Sequence, residues 1–191
     1  GEYGNKVGEF GCGNWVRRGR DQVVAGVVGG GMGGGKHIIS GSWDKTVKVW
    51  ELASGRLLCS LEGHTGKVTS VVVTEDGKHI VSGSEIGTVK VWDISTLLNT
   101  GLSSEGLLYS LKGHEWSAIS VAVTDTGKLV SGTDDKKVKV RELNSGRLLR
   151  SLEGHTREVN AVAMTEDGQY VISGSDDNTV KVWELASGRL L

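Results

Sequence analysis

The residue types that would mark a disulfide-rich or metal-binding protein are nearly missing from this sequence. It has no proline and only two cysteines, Cys12 and Cys59. The cysteines have neither metal-ligand spacing nor the density of a secreted disulfide framework. We therefore expect two free thiols in a reducing compartment, which favours the cytoplasm.

Long apolar runs and an excess of charge of one sign are also absent. No segment approaches the roughly 18 to 20 apolar residues that span a bilayer, and no secretion signal opens the chain. The 22 basic and 23 acidic residues give a net charge of −1. Such a charge provides no large field that attracts nucleic acid or an anionic membrane. We expect a soluble protein that binds neither.

Glycine and valine are abundant, in contrast. The chain has 30 glycines, many valines and few runs that favour a helix. This composition is typical of short strands joined by tight turns. The predicted class is all-β.

The clearest pattern is an internal repeat. SGSWDKTVKVWELASGRLL begins at Ser40, and a nearly identical SGSDDNTVKVWELASGRLL begins at Ser173. Weaker copies begin at Ser82 and Ser131. The residues at the tryptophan position, Trp50, Trp92, Arg141 and Trp183, are separated by 42, 49 and 42 positions. This spacing is close to that of four-stranded β-propeller blades.

Each repeat divides into four short antiparallel strands. The first strands are the apolar runs at residues 23–28, 68–73, 118–123 and 159–164, and Asp-Gly or Thr-Gly turns follow the last three. We predict an irregular Gly-rich tail at residues 1–20 and a propeller at 21–191, with blades at about 21–61, 64–111, 114–152 and 155–191.

The last repeat stops before its fourth strand is complete, so we expect a fragment that forms an incomplete ring or open arc. A lone blade cannot bury its two apolar faces, and neighbouring blades must therefore stack. The open blade edges also favour self-association.

Two irregularities interrupt the repeat. The segment after Trp92, DISTLLNTGLSSEGLL, is eight residues longer than its counterpart after Trp50, and we predict an extended loop there. Blade three is one residue shorter between Gly127 and Ser131 than blade two is between Gly77 and Ser82. We expect the hairpin turn to absorb this deletion, because a one-residue slip would reverse the strand faces.

The Gly-His pairs, Ser-Gly-Ser strands, Asp-containing turns and Trp-Asp-like dipeptides resemble those of the WD-repeat β-propeller family over roughly residues 21–191. The resemblance implies a buried hydrogen-bonded set of His, Ser or Thr, Asp and Trp in each blade. The matching residues are Ser40, Asp44 and Trp50 in blade one; His64, Ser82 and Trp92 in blade two; His114, Ser131 and Asp135 in blade three; and His155, Ser173, Asp177 and Trp183 in blade four. Only blade four has all four members.

The same resemblance implies a partner-binding face formed by the loop after Gly-His and the turn before the third strand. Carried onto this sequence, the face contains Trp43, Lys67, Thr69, Glu85, Ser117, Ile119, Asp134, Glu158, Asn160 and Asp176. Trp116 joins this set because its counterparts, Gly66 and Arg157, show that no shared packing role demands an indole; the alternative is that it packs on the adjacent blade.

Two patterns that resemble catalytic motifs have structural explanations. The Ser, His and Asp trio recurs once per blade beside a tryptophan, whereas a hydrolase needs an exposed nucleophile and an oxyanion hole. The stretch from Gly30 to Lys36 matches a phosphate-binding loop, but His37 and a strand follow it instead of Ser or Thr and a helix. The histidines lack zinc-like spacing. We expect no catalytic residue, cofactor or metal.

The sequence thus predicts a non-catalytic scaffold that binds other proteins or peptides. The alternative is a regulatory or sensor propeller cut from a larger enzyme, such as a kinase or nucleotidase, whose catalytic domain lies outside this chain. The fold does not decide between the two.

Overall fold

The repeated strands form four antiparallel sheets, each of which corresponds to one predicted blade. The computed structural model describes residues 15–17, 23–28, 37–100, 106–111, 117–124, 126–165 and 167–191. Within these residues the sheets form an open array, so the prediction of an all-β, partial propeller is confirmed.

Consecutive strands are neighbours in every sheet. Blade one contains β1 (Trp15–Arg17), β2 (Val23–Val28), β3 (His37–Ser42), β4 (Val47–Glu51) and β5 (Leu57–Leu61). Blade two contains β6 (Val68–Val73), β7 (His79–Ser84), β8 (Val89–Asp93) and β9 (Leu107–Leu111), with helix α1 (Ile94–Thr100) before β9. Blade three contains β10 (Ala118–Val123), β11 (Lys128–Thr133), β12 (Lys137–Glu142) and β13 (Leu148–Glu153). Blade four contains β14 (Val159–Met164), β15 (Tyr170–Ser175) and β16 (Val180–Glu184).

The predicted first strand of each blade has the bounds that the structure shows, as β2, β6, β10 and β14. The turns after the last three of these strands hold Gly77, Gly127 and Gly168 at φ of 69°, 71° and 64°. Glycine adopts this left-handed conformation at little cost, so it allows the chain to reverse within a few residues.

Blade one has an additional strand that the sequence did not predict. β1 pairs antiparallel with β2, with Trp15 opposite Ala25. Three residues of the segment predicted as an irregular tail therefore belong to a sheet. The thiol of Cys12 and the Gly30–Lys36 stretch lie outside the described residues.

The insertion after Trp92 was predicted as an extended loop, and this was wrong for its first half, which forms α1. Asp93 caps the helix, since its Oδ1 accepts a hydrogen bond of 3.0 Å from the Thr96 N–H. Ile94 and Leu97, three residues apart, are buried in the core of the first two blades. Burial of this apolar pair and the cap stabilise a helix that composition alone did not reveal.

The hairpin turn absorbs the deletion in blade three, as predicted. The Thr74 N–H donates to the carbonyl of His79 in blade two, whereas the Thr124 N–H donates to the carbonyl of Lys128 in blade three. The turn is thus one residue shorter, and Ser131 still pairs with Lys139 as Ser82 pairs with Lys90.

Each hydrophobic core lies between two blades. One core joins Ile39, Val47 and Val49 of blade one to Val68 and Val71 of blade two. A second joins blade two to blade three, and a third joins blade three to blade four. A blade therefore buries its apolar face only by contact with the next blade.

A glycine in the second strand lets the next blade approach closely. A β-carbon at Gly132 would lie 2.8 Å from Cγ1 of Val159, and one at Gly41 would lie 2.5 Å from Cγ1 of Val68. Blade four has Gly174 at this position, and the nearest atom there is Cβ of Ala161, 3.9 Å away in the same blade. The notch is filled in blades one and three and empty in blade four.

Blade four leaves this face exposed. Val180 and Val182 are 72% and 36% exposed, whereas their counterparts in blade three, Val138 and Val140, are both 0% exposed. We call Ile172, Gly174, Val180 and Val182 the blade-four open face. The segment after β16 only begins a fourth strand, through a 2.9 Å bond from the Leu191 N–H to the carbonyl of Val182.

The described part of the chain contains no helix with the length and apolar character needed to span a membrane.

The glycine notch yields a paired stability test. We expect Gly132→Ala to lower the free energy of unfolding by about 1 to 3 kcal/mol, because the new methyl group overpacks against Val159. Gly174→Ala is the matched control and, in monomeric protein, should change stability by less than about 0.5 kcal/mol, because no described blade of the same chain enters its notch. Urea unfolding monitored by circular dichroism measures both. Equal losses in the two variants would contradict the inter-blade notch.

Candidate interaction face

The pairing of the second and third strands places the serine of each repeat near the tryptophan position. Ser173 lies opposite Lys181, and Trp183 follows two residues later on the same face of the sheet. The other three blades repeat this register. The indole of each tryptophan can therefore reach the serine hydroxyl.

Blade four has a complete hydrogen-bonded set. Nδ1 of His155 lies 2.8 Å from Oδ2 of Asp177, and Nε2 lies 2.8 Å from Oγ of Ser173. The indole N–H of Trp183 donates to the same Oγ at 2.8 Å. Because a carboxylate only accepts, Nδ1 carries the proton and Nε2 accepts from the serine hydroxyl. Every polar group of this buried set is satisfied.

Asp177 also fastens the loop above the histidine. Its Oδ2 accepts a 2.9 Å bond from the Thr156 N–H, and its Oδ1 accepts one of 3.0 Å from the Thr179 N–H. Burial opposes ionisation of this carboxyl, but the bonds from Thr179, Thr156 and His155 outweigh it and hold the Asp177 pKa well below its usual range. The carboxylate thereby links the loop after Gly-His to the turn before β16.

Blade two keeps the set without the aspartate. Nε2 of His64 lies 2.7 Å from Oγ of Ser82, which also accepts a 2.9 Å bond from the Trp92 indole. Ile86 stands where the aspartate would be and is 46% exposed. The hydroxyl of Thr88 lies 3.3 Å from Nδ1 of His64, as the hydroxyl of Thr179 does from Nδ1 of His155. Burial, and then the charge of Lys90, lower the pKa of His64 to about 4.

Blade one has the serine and tryptophan bond, but its sequence has no histidine at the position that corresponds to His155. The Trp50 indole donates to Ser40 at 2.8 Å. Asp44 forms an ion pair of 3.1 Å with Nζ of Lys48 and accepts a 2.9 Å bond from the Thr46 N–H. Burial raises the pKa of the Asp44 carboxyl, but these bonds outweigh it and lower the pKa to about 2. A lysine of the third strand is thus this carboxylate's partner.

Blade three has an ion pair at the same two positions. Oδ2 of Asp135 pairs with Nζ of Lys139 at 3.3 Å, and both side chains are largely buried. Arg141 stands where the other blades have tryptophan, and its guanidinium donates to the carbonyl of Gly146 at 3.0 Å. The structure therefore does not join Arg141 to the serine. His114 lies outside the described residues, and Ser131 is buried.

Sequence reasoning missed three further partners of the hydrogen-bonded sets. These are Thr88, which lies beside His64, and the lysines Lys48 and Lys139, which pair with aspartates. The sequence contained the signal for both kinds of partner. A lysine stands two residues before each tryptophan position, and Thr88 and Thr179 occupy the same place in T-V-K-V-W.

The predicted partner face divides into two groups of side chains. In the first, Nζ of Lys67 lies 4.6 Å from the ring centroid of Trp43, which belongs to the preceding blade. The same Nζ lies 3.2 Å from Oε2 of Glu85. All three side chains are partly exposed. The ammonium group joins an aromatic surface of blade one to an acid of blade two.

The second group lies on blades three and four. The amide of Asn160 donates to Oδ1 of Asp176, and the Arg157 guanidinium donates to the Asp176 carbonyl at 3.2 Å. Burial, and then the charges of Glu158 and Asp135, raise the pKa of Asp134. The charge of Glu158 in blade four thus acts on Asp134 in blade three.

One backbone bond recurs beneath both groups. The N–H groups of Glu85, Asp134 and Asp176 donate to the carbonyls of Lys67, Ser117 and Glu158 at 3.0, 3.3 and 3.0 Å. Each bond joins the turn before the third strand to the segment that enters the first strand. The backbone of the face is thus fixed in the same way in three blades, while its side chains differ.

The remaining predicted face residues have other positions. The hydroxyl of Thr69 donates to the carbonyl of Ala118 in the next blade, so it serves an inter-blade contact. Ile119 lies within β10. Trp116 lies outside the described residues.

No group of three or more His, Cys, Asp or Glu side chains that could hold a metal ion occurs in the described ranges. The buried thiol of Cys59 is free, and burial raises its pKa.

Serine substitution tests the two kinds of hydrogen-bonded set. We expect Ser173→Ala to lower the free energy of unfolding by about 1 to 3 kcal/mol, because it leaves Nε2 of His155 and the Trp183 indole without a buried partner. Ser40→Ala is the matched change in blade one, where only the Trp50 indole loses its bond. Urea unfolding should show a smaller loss for Ser40→Ala, and the reverse order would exclude a cooperative set in blade four.

The lowered pKa of His64 predicts a pH dependence of stability. The folded state binds fewer protons than the unfolded state, in which the pKa is 6.5. The stability from neutral His64 is thus complete above pH 6.5 and is lost as the pH falls towards 4, by about 3 kcal/mol. The difference in unfolding free energy between wild type and His64→Gln should shrink by this amount between pH 7 and 4. Parallel pH profiles for the two proteins would show that His64 is not held neutral.

Comparison with known proteins supports the architecture. The WD40 family profile, described as "WD domain, G-beta repeat", matches residues 32–51, 55–93, 105–141 and 146–184. Three of the matched segments begin near the fourth strand of one blade and end with the third strand of the next. The repeat unit of the family profile is therefore offset by one strand from the four-stranded sheet of a blade.

Relatives with this pattern come from several organisms. The chain is 28% identical over 144 residues to the nuclear distribution protein PAC1 of Arthroderma otae, an overlap of 71% of this chain and 30% of that protein. It is 42% identical over 53 residues to a Lissencephaly-1 homolog of Heterostelium pallidum, covering 28% of this chain and 13% of the relative. A peroxisomal targeting signal 2 receptor of Mus musculus is 44% identical over 39 residues, which are 20% of this chain and 12% of the receptor.

The chain thus covers less than a third of these relatives. Among solved structures, the computationally designed Ika4 protein is similar with a TM-score of 0.67 and 36% identity, over 78% of this chain and 85% of that one. The profile matches cover well over half of the chain. The chain therefore belongs to the WD40 repeat family.

Proposed function

We propose that this chain is a non-catalytic scaffold that binds other proteins or peptides on the face of its blades that carries Trp43, Lys67, Glu85, Asp134, Glu158 and Asp176. The observation that carries the proposal is the backbone bond that recurs beneath this face. It joins the Glu85, Asp134 and Asp176 N–H groups to the preceding loop in three blades. A fixed backbone lowers the conformational entropy that a partner's binding would otherwise cost.

The side chains on this platform are suited to protein contacts. The Trp43 ring and the Lys67 ammonium are partly exposed and already oriented by one another and by Glu85. Aromatic and cationic groups of this kind often dominate binding energy at interfaces. Differences between blades at otherwise equivalent positions favour recognition of one partner segment over another.

A catalytic role for the Ser, His and Asp trio is not supported by the geometry. Ser173 is 0% exposed, and its Oγ already bonds to His155 and Trp183. A nucleophile must be open to its substrate and close to an oxyanion hole. The trio in blade four fixes a loop instead.

The relatives support a binding role. By their names, one is a receptor for a targeting signal and another is a nuclear distribution protein. The bounds of the propeller at 21–191, its cytoplasmic location and its lack of binding to nucleic acid and membranes remain predictions. So does the alternative that it regulates a catalytic domain outside this chain.

A random peptide library displayed on phage tests the proposed face. The chain should select peptides whose binding falls at least about tenfold in the variants Trp43→Ala and Glu158→Ala, which corresponds to about 1.4 kcal/mol. Glu75→Ala and Asn144→Ala are matched controls, since both residues are exposed in turns at the opposite end of the sheets. Failure to select any peptide, or binding that the control variants weaken more than the face variants, would refute the proposal.

A further inference from the structure

The blade-four open face repeats a surface that the same chain covers elsewhere. In blade three, Val138 and Val140 are 0% exposed because β14 of blade four packs on them. In blade four the same positions hold Val180 and Val182, at 72% and 36% exposure. Their cross-strand partners on this face are Gly174 and Ile172. The face therefore has the composition of a buried blade contact but has no covering strand in the described residues.

The covering element is the same at each internal contact. Val159 and Val162 of β14 occupy the notch at Gly132. Within their own blade they pair with Ser175 and Ser173. Val68 and Val71 of β6 fill the notch at Gly41 and pair with Ser84 and Ser82. At these contacts, the preceding blade is thus covered by the two first-strand residues that pair with the two serines of the second strand.

Blade one has the same register positions at the other end of the array. In β2, Val23 pairs with Ser42 and Ala25 pairs with Ser40. The other first strands have valine or alanine at the first of these positions and valine at the second, and a bulge that β2 lacks separates the two. Among the described residues, blade four therefore has an uncovered apolar face, and blade one has a first strand that pairs with the same serine positions.

We propose that a second copy of this chain covers the blade-four open face with its own β2, head to tail. The contact continues the three blade contacts already present within one chain, because it uses the same register positions and the same glycine notch. A contact between two different surfaces closes into a ring if its rotation allows and otherwise extends into a chain. The proposal concerns the side of a blade and is independent of the partner face described above.

Light scattering after size exclusion tests the contact on the whole 191-residue chain. We expect wild type to form a species of at least twice the monomer mass, and Val180→Asp to weaken its association by at least about 100-fold, since the contact would bury an unpaired carboxylate. Val180 is exposed enough that the change leaves the monomer folded. Leu108→Asp, at an exposed leucine of β9, is the matched control and should associate like wild type.

A mixing experiment distinguishes head-to-tail from face-to-face pairing. Val180→Asp disables the open face and Ala25→Asp disables β2, so each variant alone should be monomeric. Their mixture should form a one-to-one pair, because each retains the surface that the other lacks. A monomeric wild type, or Ala25→Asp chains that pair as well as wild type, would overturn the proposal.

Disulfide trapping covers the case in which Ala25→Asp does not fold. Copies carrying Ala25→Cys and Gly174→Cys, with tags of different size and Cys12→Ser in both, should join in oxidising buffer. The pair Ala25→Cys and Leu108→Cys should not. Equal cross-linking of the two pairs, or none at positions 25 and 174, would rule out the proposed register.

Discussion

The whole structure depends on one packing constraint: a four-stranded sheet with two apolar faces is stable only when the next sheet covers it. Val159 and Val162 enter the notch at Gly132, and the side chains around them become fully buried. The fit requires glycine, because a methyl group at that position would meet Val159. This contact sets the distance between blades, and that distance aligns the loops that form the candidate interaction face.

The hydrogen-bonded sets act within this framework. Packing alone places the serine and tryptophan of blade one at bonding distance, although the sequence of that blade has no histidine at the position that corresponds to His155. Where the histidine is present, it adds a connection from the sheet to the loop above it, through Asp177 in blade four. Lys48 and Lys139 neutralise the corresponding aspartates in blades one and three. The blades thus have the same backbone arrangement, although the side chains that bond to the aspartates differ.

Much of the fold could be predicted from sequence, because a repeat reports the same structure several times. The bounds of β2, β6, β10 and β14, and the shorter turn after Thr124, followed from apolar runs and Asp-Gly or Thr-Gly turns alone. Helix α1 occurs once and is stabilised by tertiary burial of Leu97, which no comparison between repeats reveals. A unique element has no second copy that could disclose its packing.

The candidate face was harder to predict for a related reason. Family resemblance located its positions, but the contact between Lys67 and Trp43 crosses two blades and depends on their spacing. The same is true of Asp134, whose raised pKa arises from its burial and from charges that include Glu158 of the next blade. Such contacts are absent from any single repeat and arise only when blades stack. The scaffold is therefore encoded within each repeat, whereas the chemistry of its face is encoded between repeats, where substitutions can alter recognition without disturbing the sheets.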